Sequence, residues 1–369
     1  MTEDRLRSAP SSSCGRIESI DVLRAVVLLG ILTVHSFGGF GLRTEQAHSI
    51  ISDFVILFLN DKCNPAFCML FGLSFYLILR KPGASSWKFV WRCFLLVCFG
   101  VINKFFYWYD VLSLYGVIGM ALVLFRNLGT RALALCAASI YFLYLYMEPL
   151  FHVQSLLFPE GVDVSTPQGA TFGELVDRPI VDGFKAYIYY IAGHSGCGLK
   201  NLSMALVGYT LGKWGVTERL GSLMRARTLA LLWVCAVGTF IARYKITWPE
   251  YLAPLKAVDN LCACITYCYS VLYAYYRLNG HRWLGKLAPY GRMGLTNYSM
   301  QGMAGVFLFS ASGLSLSRAS GAAILAFVTV FYTLQLLASR WWMHRMLYGP
   351  WEWVWRSATN LKLLPIRRR

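Results

Sequence analysis

Apolar runs of about 15 to 25 residues recur along the whole chain with short basic loops between them, and this segmentation leaves few folds open. At about 1.5 Å of rise per residue, each run is long enough, or nearly so, to cross bilayer hydrocarbon as a helix. The spacing predicts an all-α, polytopic membrane helix bundle of about ten transmembrane helices, at approximately 21–40, 61–79, 88–107, 111–126, 131–151, 186–212, 228–244, 258–276, 295–311 and 320–340. The segment from His48 to Asn60 reads two ways: an interfacial helix ahead of the second span, or the outer half of a longer helix broken near Asn64-Pro65. Composition agrees with a membrane domain. Hydrophobic residues make up 57% and charged residues only 14%, with a mean hydropathy of +0.49, which is too apolar for a soluble domain of 369 residues. The expected organisation is a cytoplasmic tail at 1–19, one transmembrane domain at 20–345 and a basic cytoplasmic tail at 346–369.

A formal charge of +17 would suggest nucleic acid if it formed one patch, but here the 35 lysines and arginines are spread over the loops. The reading therefore excludes a nucleic-acid partner and takes the lipid bilayer as the partner. On the ten-span topology, 25 of the 35 fall on one face, which the positive-inside bias makes cytoplasmic, with both termini there. The expected location is a bacterial-type inner (plasma) membrane. Arg5, Arg7 and Arg16 precede an apolar run from Val22 to Phe40 that has no small-residue cleavage pattern, so it reads as a retained first span. The longest loop on the other face, His152 to Lys185, carries Glu160, Asp163, Glu174, Asp177 and Asp182, and reads equally as a cap, a contact for an external substrate or a surface loop. Eleven cysteines lie mostly within apolar runs, where thiols act as small apolar fillers, and no metal site is expected from their spacing.

The first span holds the most informative polar residues. Arg24 and His35 are eleven residues apart, which returns them to within about 20° of one helix face, roughly 16 Å apart along the axis. Asp21, three residues before Arg24, reads either as its ion-pair partner or as the helix N-cap. An ionisable group deep in a span is costly unless it meets a partner or a water-filled cavity, and a neutral imidazole is the usual general base for a hydroxyl or amine. Asp110 reads as the N-cap of the run from Val111 to Phe125. Arg292 suits bidentate contact with phosphate but also satisfies the positive-inside bias. Thr296 reads as an N-cap, Asn297 as an interhelical hydrogen-bonding group, and Glu352 and Arg356 as an i,i+4 ion pair. Trp351, Trp353 and Trp355 read as an interfacial aromatic belt. Gly193-His194-Ser195-Gly196-Cys197-Gly198 reads as a glycine-permitted break in the sixth span, since it lacks the strand and helix of a nucleophile elbow.

Arg24 and His35 at this spacing resemble the motif of the acyltransferase-three family of membrane enzymes. Four further stretches, Ile20-Asp21-Val22-Leu23-Arg24, Leu70-Phe71-Gly72, Gly291-Arg292-Met293-Gly294-Leu295-Thr296-Asn297-Tyr298 and Gly349-Pro350-Trp351-Glu352-Trp353-Val354-Trp355-Arg356, resemble the YeiB-like bacterial membrane family, a domain of unknown function (418), with its C-terminal region expected at about 200–360. That family is similar to the transmembrane acyltransferase superfamily, which includes heparan-glucosaminide acetyltransferase. The chain departs from the family pattern in having His35 where members often carry Asn and Ala25 in place of a Gly; the histidine makes it the more enzyme-like variant. The family pattern also has an acid at Asp110 and a downstream tyrosine matched by Tyr115.

The resemblance implies acyl transfer, with acyl-coenzyme A (acetyl-coenzyme A) as co-substrate, no bound cofactor, and a glycan or lipid acceptor. His35, Arg24 and Asp21 are the expected catalytic set, as base, donor-holding cation and its orienter. Arg292, Asn297, Asp110 and Tyr115 are the expected substrate-binding set. The rival reading is a transporter of a small solute with His35 as proton relay; a scaffold in a membrane complex is the third.

Overall fold

The computed structural model describes residues 17–39, 50–104, 110–150, 197–246, 249–309 and 319–368. The expectations placed on 1–16, on His48, on the acidic loop at 152–185 and on Gly193–Gly196 lie outside these residues. Within them the regular structure is helical, apart from one isolated bridge between Met346 and Arg367. The helices are α1 (Glu18–Val34), α2 (Ile50–Phe58), α3 (Cys63–Leu79), α4 (Ser86–Lys104), α5 (Leu112–Leu122) and α6 (Thr130–Leu150). They continue with α7 (Cys197–Lys213), α8 (Ala226–Lys245), α9 (Pro249–Arg277), α10 (Ala288–Arg292), α11 (Gly294–Phe309), α12 (Gly321–Arg345) and α13 (Pro350–Asn360).

Among the described residues, five segments are long and apolar enough to cross a membrane: Glu18–Phe37, Ile50–Leu79, Ser86–Lys104, Ala226–Lys245 and Gly321–Arg345. The helices at Leu112–Phe125 and Thr130–Leu145 are apolar but shorter. The segment around Ile50 forms its own helix, and the break before α3 falls at 59–62, where Asp61 takes a φ of 59°, and not at Asn64-Pro65. Pro65 sits in the first turn of α3, where an N–H has no intrahelical acceptor in any case. The stretch from 346 onward, expected as a tail, holds α13, which packs back on the bundle through Trp355 Nε1, donating to the Arg92 carbonyl at 2.9 Å.

Helix α1 is the most enclosed of the five apolar segments, with 72% of its window buried against 6% for α8. Its apolar residues face neighbours on all sides, and Val22, Ala25, Leu28 and Leu32 have no exposed surface. Arg24 meets Ser74 near the end of α3 and Gly30 meets Cys63 at its start, so α1 and α3 run antiparallel. Helices α3 and α7 run parallel at close range: a Cβ on Gly72 would overlap the Ala205 carbonyl, and one on Gly208 the Met69 carbonyl. Small residues permit this approach where apolar area gives helices no preference over lipid. Helices α8 and α9 form an antiparallel hairpin tied by Arg243 to Asp259 at 3.1 Å. Basic loops gather at one end of the bundle. There Arg80 pairs with Glu218, Lys213 Nζ donates to the Arg126 and Leu128 carbonyls, and Arg277 Nε donates to the Met224 carbonyl.

The α3–α7 contact yields a test. Gly208→Val is expected to lower the thermal midpoint of the detergent-solubilised protein by the equivalent of about 1–3 kcal/mol, or to prevent monodisperse purification, because the helices have to separate. Gly129→Val meets open space and is expected to leave the midpoint unchanged in the same fluorescence-detected melt.

Candidate functional site

At the basic end, α1, α3, α4, α5, α10, α11 and α13 line a cavity of about 460 Å³. Helix α1 contributes Ile17, Ile20, Asp21, Arg24 and Ile31, a stripe at helical spacing along one face. The α3 stripe runs from Phe67 to Ile78, roughly 16 Å at 1.5 Å per residue, with Lys81 just past the helix end. The two ends differ in chemistry. Lys81, Arg92 and Arg356 join Arg24 and Arg292 toward one end, whereas Phe67, Phe71, Leu112, Tyr115 and Tyr298 form the other.

Asp21 organises the basic end. Its carboxylate is 1% exposed and lies 2.6 Å from Arg24 Nη1 and 3.5 Å from Arg292 Nε, while the two arginines are 24% and 26% exposed. Arg24 Nη2 also donates to Ser74 Oγ at 2.7 Å, which fixes the guanidinium between α1 and α3. The N-cap of α1 is Ile17, so Asp21 lies inside the helix and the ion-pair reading replaces the cap reading. Arg292 reaches Asp21 because α10 lies directly on α1; a side chain at Gly291 would overlap the Asp21 carbonyl.

Helix α13 closes the side of the cavity. The Glu352 carboxylate accepts from Leu295 N at 2.7 Å, Thr296 N at 3.1 Å and Thr296 Oγ1 at 2.6 Å, capping α11 from another helix. Those oxygens serve the α11 N-terminus, and Arg356 lies over the Tyr348 ring at 4.7 Å. Burial raises the Glu352 pKa, and its hydrogen bonds act in the opposite direction. Arg92 sits over the Trp355 ring at 3.8 Å, and Trp353 Nε1 donates to the Leu364 carbonyl, so these two tryptophans brace α13 and the chain after it.

The expected site residues divide into two groups. Asp21, Arg24, Arg292 and Tyr115 line the cavity together. Tyr115 is held between Phe67 and Phe71, with ring centroids at 5.3 and 6.1 Å, and its hydroxyl donates to Asn64 Oδ1. His35 opens a π-helical turn, His35–Gly39, one turn beyond Ile31. It is not among the lining residues; its ring meets Tyr298 edge-on at 6.3 Å, and Tyr298 does line the cavity. Single-turn π segments inside helices often mark functional positions. Asp110 and Asn297 are not among the lining residues. Asp110 is fully buried, accepting from Leu112 N at 3.0 Å and Asn103 Nδ2 at 2.7 Å, and so fastens the start of α5. Asn297 Nδ2 donates to the Tyr290 carbonyl and to Ser339 Oγ, binding α11 to α10 and α12.

Sequence reasoning assigned no site role to Ser74, Lys81, Arg92, Tyr298 or Glu352. Arg92 carried a signal: a cation in the second turn of an apolar helix is expensive unless it faces a cavity or a partner. Glu352 and Ser74 carried none, because their partners lie 57 and 50 residues away.

Residues 211–362 match the family described as a protein of unknown function (DUF418). Over nearly its whole length the chain is similar to "Uncharacterized protein YxaH" of Bacillus subtilis (strain 168), at 26% identity with 98% of each chain covered. It is likewise similar to "Uncharacterized protein YeiB" of Escherichia coli (strain K12), at 25% identity with 92% of this chain and 95% of the relative covered. The match at 211–362 includes Arg292, Glu352, Trp355 and Arg356, whereas the α1, α3 and α4 walls of the cavity lie in the part covered by the full-length relatives.

Two substitutions probe the assembly of the site. Asp21→Asn leaves two guanidinium groups without their buried counter-charge and is expected to cost about 3–5 kcal/mol of stability, with part recovered in the Asp21→Asn, Arg24→Met double variant, as read by thermal melts in detergent. Glu352→Ala is expected to release α13, seen as faster proteolysis after 346, whereas Glu352→Gln keeps a carbonyl acceptor and retains most of the protection.

Proposed function

We propose, from the match of residues 211–362 to the DUF418 family and the cavity described above, that the chain is a membrane-embedded acyltransferase, moving an acyl group, acetyl in the first instance, from acyl-coenzyme A to a hydroxyl or amine of a glycan or lipid. The observation that carries this reading is the cavity itself: a cationic end and an apolar end, with His35 against the wall at the apolar end through Tyr298. The supporting topology has about ten spans, with both termini and the basic end in the cytoplasm, where acyl-coenzyme A is available. The gathering of the basic loops at one end supports this orientation through the positive-inside bias.

In this reading the donor phosphates meet Lys81, Arg92 and Arg356, and Arg24 and Arg292 add charge set in place by Asp21, which acts as a positioning residue. The pantetheine arm runs along the α3 stripe and brings the thioester toward Tyr115 and Tyr298. The acceptor approaches past His35 from the far side of Tyr298. His35 takes the proton from the acceptor O–H or N–H as that atom attacks the thioester carbon, the C–S bond breaks, and the coenzyme A thiolate leaves through the basic end. Asp110 and Asn297 support the reading only through the helices they fasten.

Membrane vesicles holding matched amounts of wild type or variant, given acetyl-labelled coenzyme A, test the proposal. Label is expected in a lipid or envelope-glycan fraction with wild type, reduced by about 100-fold or more in His35→Ala. Arg24→Ala is expected to raise the apparent KM for the donor by about tenfold, the loss of one charge-assisted contact. Equal labelling by wild type and His35→Ala would overturn the reading in favour of transport, with His35 as a proton relay.

A further inference from the structure

A buried hydrogen-bond chain between α10, α11 and α12 ends on an acceptor that nothing answers. It begins at the Asn297 backbone carbonyl, which can only accept and takes Gln335 Nε2 at 3.1 Å. That fixes the Gln335 amide, so its Oε1 accepts the Tyr290 O–H at 2.9 Å. A phenol has one proton, and with that proton committed the Tyr290 oxygen accepts from Gln301 Nε2 at 2.7 Å. Each direction follows from the one before it, so the Gln301 amide is held with Nε2 on Tyr290 and Oε1 turned away from that ring. Gln301 is 1% exposed, and its Oε1 has no hydrogen-bond partner among the described residues. A buried carbonyl in this position calls for a donor.

Helix register shows which donor it faces. A Cβ on Gly294 would meet Leu28 Cδ1 at 3.5 Å, and further along both helices His35 meets Tyr298, so α1 and α11 run in the same sense. His35 lies seven residues beyond Leu28, still in α-helical backbone, and Gln301 lies seven beyond Gly294. Seven residues return a helix to within about 20° of the same face, about 10 Å further on. His35 and Gln301 therefore face each other at one level of the bundle. Ser36, whose buried hydroxyl also lacks a partner among the described residues, is turned about 80° from that face. A neutral imidazole carries one N–H, and its other nitrogen is the basic one.

We propose that Gln301 is the positioning residue of His35: its Oε1 accepts the imidazole N–H, selects one tautomer and leaves the other ring nitrogen to take the proton. Once that nitrogen has received the proton of the acceptor O–H or N–H, the imidazolium still donates to the same oxygen, so the contact persists through the step. The chemical role rests on the acyl-transfer reading; the contact itself does not. Nitrogen NMR of the full chain in nanodiscs, with histidine ring nitrogens isotope-labelled and the His35 signals identified by their loss in His35→Asn, tests it. At a pH where the imidazole is neutral, wild type is expected to show a single His35 tautomer, and averaging of the two tautomers would overturn the proposal without any variant. Gln301→Met removes the acceptor at similar volume and is expected to mix the tautomers. In the acetyl-transfer assay the same variant is expected to lose about tenfold in kcat with the donor KM unchanged. Unchanged His35 signals in folded Gln301→Met protein, whatever happens to kcat, would show that Gln301 acts only through packing and would sink the idea. A single tautomer that Gln301→Met releases, in a wild type that transfers no label, leaves the contact standing and removes the acyl-transfer reading.

Discussion

A carboxylate with 1% of its surface exposed, inside the most enclosed helix of an apolar bundle, sets the terms for the rest of the site. Moving such a group out of water without compensation costs several kcal/mol even after relaxation, so Asp21 requires cations, and it draws them from two directions. Arg24 comes from its own helix at the i,i+3 position, and Arg292 from α10 across the bundle. Arg24 also donates to Ser74, so one anion ties α1, α3 and α10 at the same level. The Gly291 contact is the steric counterpart of this charge requirement: α10 can bring Arg292 within reach only where its backbone touches the Asp21 carbonyl.

Two guanidinium groups share the Asp21 carboxylate, and the apolar surroundings of the cavity strengthen their interaction relative to water. Helix α13 adds further cationic lining. It delivers Arg356 and stacks Trp355 on Arg92, while its own acid is drawn away to cap α11. Binding that acid to the N–H groups of a helix start satisfies groups that have no intrahelical acceptor.

Helix type and most helix positions were legible in the sequence because apolar length is a local property. The break at 59–62 was not, because Asn64-Pro65 looked like the stronger interruption until Pro65 proved to occupy a first turn, where proline is tolerated. The Asp21–Arg24 pair was legible from i,i+3 spacing, and Arg292 from its guanidinium in a basic loop. Their meeting was not, since it depends on packing between residues 271 apart in sequence. The tryptophans of α13 read as a membrane belt by composition, yet Trp353 and Trp355 spend their indole N–H groups on backbone carbonyls, which no one-dimensional pattern reveals. Asp110 and Asn297 carry contacts that the sequence did not reveal. Both looked like site residues on resemblance, and both hold helix ends or helix pairs together one layer behind the cavity.

His35 is the base of the proposed reading, and its backbone still continues α1: its N–H bonds the Ile31 carbonyl at φ −64° and ψ −36°, and the π-helical turn runs on from it to Gly39. The imidazole meets Tyr298, which lines the cavity, edge-on at 6.3 Å. On the proposed acyl-transfer reading, a base inside the cationic, apolar cavity would share its space with the donor, whereas an imidazole beside the Tyr298 ring lies next to the cavity without lining it, so Tyr298 is the side chain through which His35 and the cavity meet.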